Sequence, residues 1–222
     1  MKKMKVVILT LCAGIVMAGC NNLAKGTAIG AAGGAVLGAV VGKLAGNTIV
    51  GAAVGTAVGA GTGALIGKHM DKVKAEAEAV KNAQVETITD ANGLQGVKVT
   101  FDSGILFATN SSTLNSASQN TIKQIADVLK SNSDVDVAIF GHTDNTGTDA
   151  INDPLSLKRA QSVEKSLKNQ GVSNINRVEG QGSKNPVADN STAEGKKQNR
   201  RVEVYMYASQ AMIQAAEAGN LK

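Results

Sequence analysis

Apolar and polar residues alternate in three short stretches of the chain: Val97, Val99 and Phe101; Val135, Val137 and Ile139; Val202, Val204 and Met206. A period of two puts each set on one face, so each stretch predicts a half-buried strand. Between the first two, Ile122, Ile125, Ala126 and Leu129 follow a helical spacing, with Ser116 or Ser118 placed to cap the helix. A second helix is predicted between Ala150 and Gln170, stopped by Gly171. Strands interleaved with helices make this globular part, which starts near Val85, an α/β two-layer sandwich.

The first half reads differently. Lys2, Lys3 and Lys5 precede an apolar run over residues 6–17, the two regions of a secretory signal peptide at 1–19. That run is shorter than the ~20 residues a bilayer crossing needs. It ends in Met17-Ala18-Gly19-Cys20, which resembles a bacterial lipoprotein lipobox, with Met where Leu is usual. Cys20 is then the lipidated first residue of a mature chain whose N-terminus occupies 20–25. Cys12 leaves with the signal, so no disulfide partner remains.

Residues 26–67 are almost wholly Gly, Ala, Val, Ile, Leu and Thr, and their glycines keep register. Gly26, Gly30, Gly34, Gly38, Gly42 and Gly46 form one series, and Gly51, Gly55, Gly59, Gly63 and Gly67 a second. Spacing of four keeps each series on one helical face, a groove that another backbone can approach closely. In water each such glycine costs up to ~1 kcal/mol of helix stability, so an apolar or tightly packed setting is implied. The pattern predicts a glycine-zipper helical hairpin turning at Asn47-Thr48, at or in a membrane, with Lys43 reaching toward a headgroup region. Residues 68–94 follow as a helical stalk and linker. They begin with a Lys-, Ala- and Glu-rich stretch read as a solvated helix, with His69 on its surface.

Composition narrows the picture. The chain has 222 residues, no Trp, three Phe and two Tyr, enough aromatic surface for one modest core. The formal net charge is +5; losing Lys2, Lys3 and Lys5 with the signal leaves +2, which gives no support to nucleic-acid binding.

The candidate chemistry sits around residues 141–160. At about 100° per residue, with Leu155 as origin, Ile151, Val163, Leu167 and Ala160 form an apolar stripe, and Arg159 and Asn152 fall inside it. Asp153-Pro154 also suits the start of a helical segment. A guanidinium on the inner face of a helix needs an anion, and Asp144, in the turn leaving the second predicted strand, is the nearest candidate. Chemistry alone leaves two readings open. The two residues neutralise each other as a structural ion pair, or a cleft separates them and they form a receptor for a zwitterion, Arg159 holding a carboxylate and Asp144 an ammonium. His142 and Asp144 find no second histidine or cysteine in the globular part to complete a zinc site, and no serine motif supports a triad. We therefore expect no catalysis, no metal and no cofactor, and read His142 as a hydrogen-bonding residue of the loop.

The segments "LFATNSSTL", "FGHTDNTG", "NDPLSLKRAQSV" and "NPVADNSTAEGKKQNRRVEV" closely resemble the C-terminal domain of OmpA-like proteins, over residues 95–207. The resemblance implies a mixed sheet with helices on one face, a C-terminal tail at 208–222, and non-covalent binding of peptidoglycan through the meso-diaminopimelate of its stem peptide. Carried over, Asp144 and Arg159 grip the amine and carboxylate of diaminopimelate, Thr146, Asn152 and Asn110 add polar contacts, and Leu155 lines the groove. Asn199 to Arg201 are expected to brace the last strand against the loop at Asp189-Asn190. The chain departs from many members at Ala108, where an aspartate commonly follows the phenylalanine. Signal, lipobox, zipper and this domain together resemble outer-membrane lipoproteins, and Asn21 beside the lipidated cysteine favours the outer membrane, with the globular domain in the periplasm. The implied function is a tether between membrane lipid and cell wall. The alternative makes the zipper the active part, an element that homo-oligomerises in or perturbs the membrane, with the wall domain as its anchor.

Overall fold

A computed structural model describes residues 59–90, 93–108, 110–116 and 118–221. The first glycine series and the start of the second, and with them the hairpin turn, the signal and Cys20, lie outside the described residues.

Helix α1 (Ala60–Glu78) leads into β1 (Gln84–Thr89), β2 (Gln95–Asp102) and a single turn α2 (Ser103–Leu106). Then come α3 (Ser118–Ser131), β3 (Val135–Gly141), α4 (Asp149–Asn169), β4 (Ile175–Gly180), α5 (Ala193–Asn199), β5 (Arg201–Ala208) and α6 (Gln210–Glu217). The strands form one mixed sheet in the order β1-β2-β5-β3-β4, in which only β3 and β4 run parallel, joined by the α4 crossover.

The three alternating stretches become β2, β3 and β5, and their apolar sets share one buried layer with Ile122, Ile125 and Leu129 of α3 and Val163 and Leu167 of α4. The opposite face carries a smaller cluster of Ile88, Ala138, Phe140, Tyr205 and Tyr207, with the Phe140 and Tyr205 rings edge to face at 5.4 Å.

Several expectations are corrected. Residues 68–78 are not a solvated stalk: α1 runs unbroken from Ala60 through Gly63 and Gly67, and its Ile66, Met70, Val73 and Ala77 join the main core. The spacing of four, three and four residues puts these side chains on one helical face, while Lys72–Glu76 and Lys74–Glu78 pairs occupy the outside. His69 is mostly buried, 3.3 Å from Asp134, rather than at the surface. Residues 84–89 are an edge strand paired with β2, which fits a globular part starting near Val85 rather than a linker that runs to 94. In the expected tail, α6 buries Met212, Ile213 and Ala216 in the same core. The cap of α3 comes from Asn115, whose side-chain oxygen accepts from the Ser118 amide at 2.8 Å, because Ser118 is already inside the helix. Helix α4 starts at Asp149 rather than at Pro154, which lies in its second turn and removes only the bond to the Ala150 carbonyl. Its buried face runs through Asn152, Ser156, Arg159, Val163 and Leu167, which leaves Ile151 58% exposed instead of in the stripe.

Candidate functional site

The site forms where α4 crosses the ends of β3 and β4. Gly141 and Gly180 face each other across these strands. A Cβ on Gly141 would collide with the Ser156 carbonyl, and one on Gly180 with the Leu157 amide, so the glycine pair lets the helix backbone lie directly on the strand ends. The Ser156 hydroxyl locks the contact, donating to the Asp153 carbonyl at 2.8 Å and accepting from the Gly182 amide at 2.9 Å. One turn further on, Arg159 points inward and is 4% exposed.

Arg159 is held on one side only. Its Nε donates to the Ser111 carbonyl at 3.0 Å and its guanidinium lies 5.4 Å above the Phe107 ring. Its two terminal nitrogens have no partner among the described residues. Burial, with the nearby Arg200 charge adding to it, lowers its pKa; the Asp144 charge opposes.

Asp144 is 6% exposed, at the start of the turn after β3. Its Oδ1 accepts from the Thr146 amide at 2.8 Å, and the turn closes through Gly147 at φ +88°. Its Oδ2 accepts from Arg200 Nη1 at 2.5 Å. Burial pushes the carboxyl up, but the bonds from Arg200 and Thr146 outweigh it and hold the pKa below the ordinary value. Asp144 and Arg159 form no ion pair within 4 Å, although the aspartate charge reaches the arginine.

The other expected residues are placed as follows. Asn152 is buried two turns before Arg159 on the same helical face, and its Nδ2 has no hydrogen-bond partner. Leu155 is half-buried one turn before Arg159. Thr146 is exposed beside Asp144. Asn110 is exposed at φ +55°, next to the Ser111 carbonyl that holds Arg159. Ala108 is exposed in the same loop, where its carbonyl accepts from the Ser111 amide at 3.0 Å.

The Asn-Arg-Arg run splits its work. Asn199 braces the 187–190 loop, accepting from the Val187 and Ala188 amides and donating to Asn190. Arg201 bonds Glu203 at 2.7 Å on the opposite face of the sheet. Arg200 is no brace of that loop: it is Asp144's partner. Sequence reading missed it, though strand parity held the signal, since Arg200 shares the parity of Val202 and Val204, and Arg201 that of Glu203.

His142 is buried behind the turn, its Nε2 3.2 Å from Glu203 Oε2. Burial is the main cause that lowers its pKa. The same burial would raise Glu203, but His142 and Arg201 hold it far down. Among the described residues no three His, Cys, Asp or Glu side chains gather as a metal site. None of the helices formed by those residues is long and apolar enough to cross a membrane.

Comparison with known proteins adds family evidence. The model of the OmpA family matches residues 106–200, and that of the YMGG-like Gly-zipper matches residues 1–71. The probable lipoprotein YiaD of Escherichia coli is 38% identical over 141 residues, 63% of this chain and 63% of its own length. The peptidoglycan-binding protein ArfA of Mycobacterium tuberculosis is 43% identical over 101 residues, 45% of this chain and 31% of its own. The outer-membrane lipoprotein YfiB of Pseudomonas aeruginosa is 38% identical over 138 residues, 61% of this chain and 79% of its own. This chain thus spans less than two thirds of the length of the first two relatives. Among solved structures, the cell wall anchor of the type VI secretion system from Pseudomonas aeruginosa superposes with a TM-score of 0.52 at 29% identity, covering 63% of this chain and 97% of that one.

Proposed function

The chain belongs to the OmpA family, and from that premise we propose that its globular part binds peptidoglycan non-covalently through the free zwitterionic end of meso-diaminopimelate. The observation that carries the reading is the unpaired state of Arg159. Arg159 is 4% exposed, and its terminal nitrogens have no acceptor among the described residues, so a ligand can supply the anion that a guanidinium in this setting favours. The planar fork suits a carboxylate, bound bidentately. Asp144, close by but not paired to Arg159, keeps lone pairs for an ammonium after its bonds to Thr146 and Arg200. Asn152 Nδ2 offers a further unused donor, Thr146 and Asn110 supply exposed polar contacts, and Leu155 forms part of the wall. No catalysis is needed or assigned: His142 is buried away from the turn surface.

The peptidoglycan-binding relative and the cell-wall-anchor structure support the choice of ligand, and the lipoprotein relatives support an outer-membrane protein carried by a lipid at Cys20. With the glycine zipper at the membrane and the domain in the periplasm, the protein tethers membrane to wall. The test is co-sedimentation of the detergent-solubilised protein with sacculi containing diaminopimelate and with sacculi containing lysine in its place. Retention by the first and not the second is expected, because lysine lacks the carboxylate that Arg159 takes. Equal retention by both would refute the assignment of Arg159.

A further inference from the structure

The site holds two arginines and one aspartate. Arg200 pairs with Asp144, and among the described residues the only charges that act on Arg159 are those of Arg200 and Asp144; Lys184 pairs with Asp153 at 2.7 Å and also feels Asp149. Among these three directly coupled groups, binding a head group that is itself neutral overall, one ammonium and one carboxylate, leaves one positive charge without a counterpart. Arg200 is the group in excess. Its backbone is fixed, since its carbonyl accepts from the Ser103 amide at 2.8 Å and its amide donates to the Lys196 carbonyl at 3.1 Å. Its side chain is 40% exposed, and of its three nitrogens only Nη1 is engaged among the described residues. It therefore presents donors to solvent at the rim while Nη1 holds Asp144. An ammonium placed on Asp144 sits beside this guanidinium, and the repulsion is relieved only by a second anion.

Resting on the diaminopimelate reading above, we propose that Arg200 is a specificity-determining residue that takes a second carboxylate of the stem peptide, beyond the one at the zwitterionic end. The stem offers two: the α-carboxylate of the D-isoglutamyl residue, and the carboxy-terminal carboxylate. Both have the same chemistry, and amidation of either is the change Arg200 detects.

The experiment is calorimetric titration of the full-length protein in detergent with the synthetic tripeptide L-alanyl-γ-D-glutamyl-meso-diaminopimelate. Three mono-amides are compared with it, each blocking one carboxylate: isoglutamyl, carboxy-terminal or zwitterionic end. Wild type, Arg200→Gln and Arg200→Lys are titrated, with folding checked by circular dichroism. One of the first two amides weakens wild-type binding about tenfold, the scale of a lost charge-assisted hydrogen bond, and which one identifies the carboxylate. Arg200→Gln binds the free acid about tenfold more weakly and does not distinguish that amide, whereas Arg200→Lys recovers part of the discrimination. If neither amide weakens wild type, or Arg200→Gln discriminates as wild type does, the proposal is wrong. The amide at the zwitterionic end is the separate control. It must weaken wild type and Arg200→Gln alike, and if it does not, or the free acid fails to bind, the diaminopimelate reading falls and this inference with it.

Discussion

Asp144 is held by Arg200 Nη1 at 2.5 Å, while Arg159 stays outside ion-pair distance of it. The geometry does not fit a mutual structural pair of Asp144 and Arg159, and it leaves the terminal nitrogens of Arg159 without an acceptor among the described residues. It also makes Asp144's position depend on a residue 56 positions away, at the C-cap of α5 just before β5.

Arg200→Gln removes the partner of a buried carboxylate. Because the arginine side chain is 40% exposed, the stability cost is modest, about 1 kcal/mol. The pH signature is sharper. Asp144's folded pKa lies below its unfolded value, so its contribution is present above the unfolded pKa, near 3.9, and is lost as pH falls through the folded one. In Arg200→Gln the acid-unfolding midpoint, followed by circular dichroism, moves to higher pH.

His142 gives the opposite kind of lever. Its folded pKa is depressed, chiefly by burial, so between that value and its unfolded value, near 6.5, the unfolded chain binds more protons and stability rises with pH. The urea-unfolding midpoint of wild type falls as pH is lowered from 7 through this window. His142→Gln flattens that slope.

Gly141→Ala places a methyl group against the Ser156 carbonyl, a backbone atom that moves only if α4 moves. We expect a loss of about 3 kcal/mol or more in chemical denaturation, and weaker ligand binding because Arg159 rides on the displaced helix.

Helix α1 belongs to the folded unit. Met70→Ala should cost about 2–5 kcal/mol in denaturation, as for other buried large-to-small changes. A fragment beginning at residue 83 loses Ile66, Met70, Val73 and Ala77 from the core and should bind a hydrophobic dye, whereas one beginning at residue 59 should not.

How much of this was legible depends on whether the pattern survives in sequence. The strands β2, β3 and β5 alternate cleanly because one face packs under the helices, and Arg159 stood out because it interrupts an apolar stripe. Strand β4 did not, because the register shift between Val137 and Ala138 sets Ile175 and Val178 against β3 with an odd spacing, which erases the period of two. Helix α1 was hidden by its own charges: the stripe from Ile66 to Ala77 is regular, but it begins among glycines and continues among lysines and glutamates that suggest a solvated helix. Asp144's partner is hard to see because Asn199 to Arg201 read as one polar run, although the alternation of β5, extended back by one residue, separates Arg200 from Arg201. The pairing of Arg159 with the Ser111 carbonyl depends on a loop meeting a helix 48 residues later, which no local pattern encodes.

The most direct test of the central claim is co-sedimentation of the detergent-solubilised protein with purified sacculi, comparing wild type with Asp144→Ala and Arg159→Ala, each shown to be folded by circular dichroism. Wild type is expected in the pellet and both variants in the supernatant. Variants that sediment as well as wild type, or a wild type that stays in solution, would contradict the receptor formed by Asp144 and Arg159.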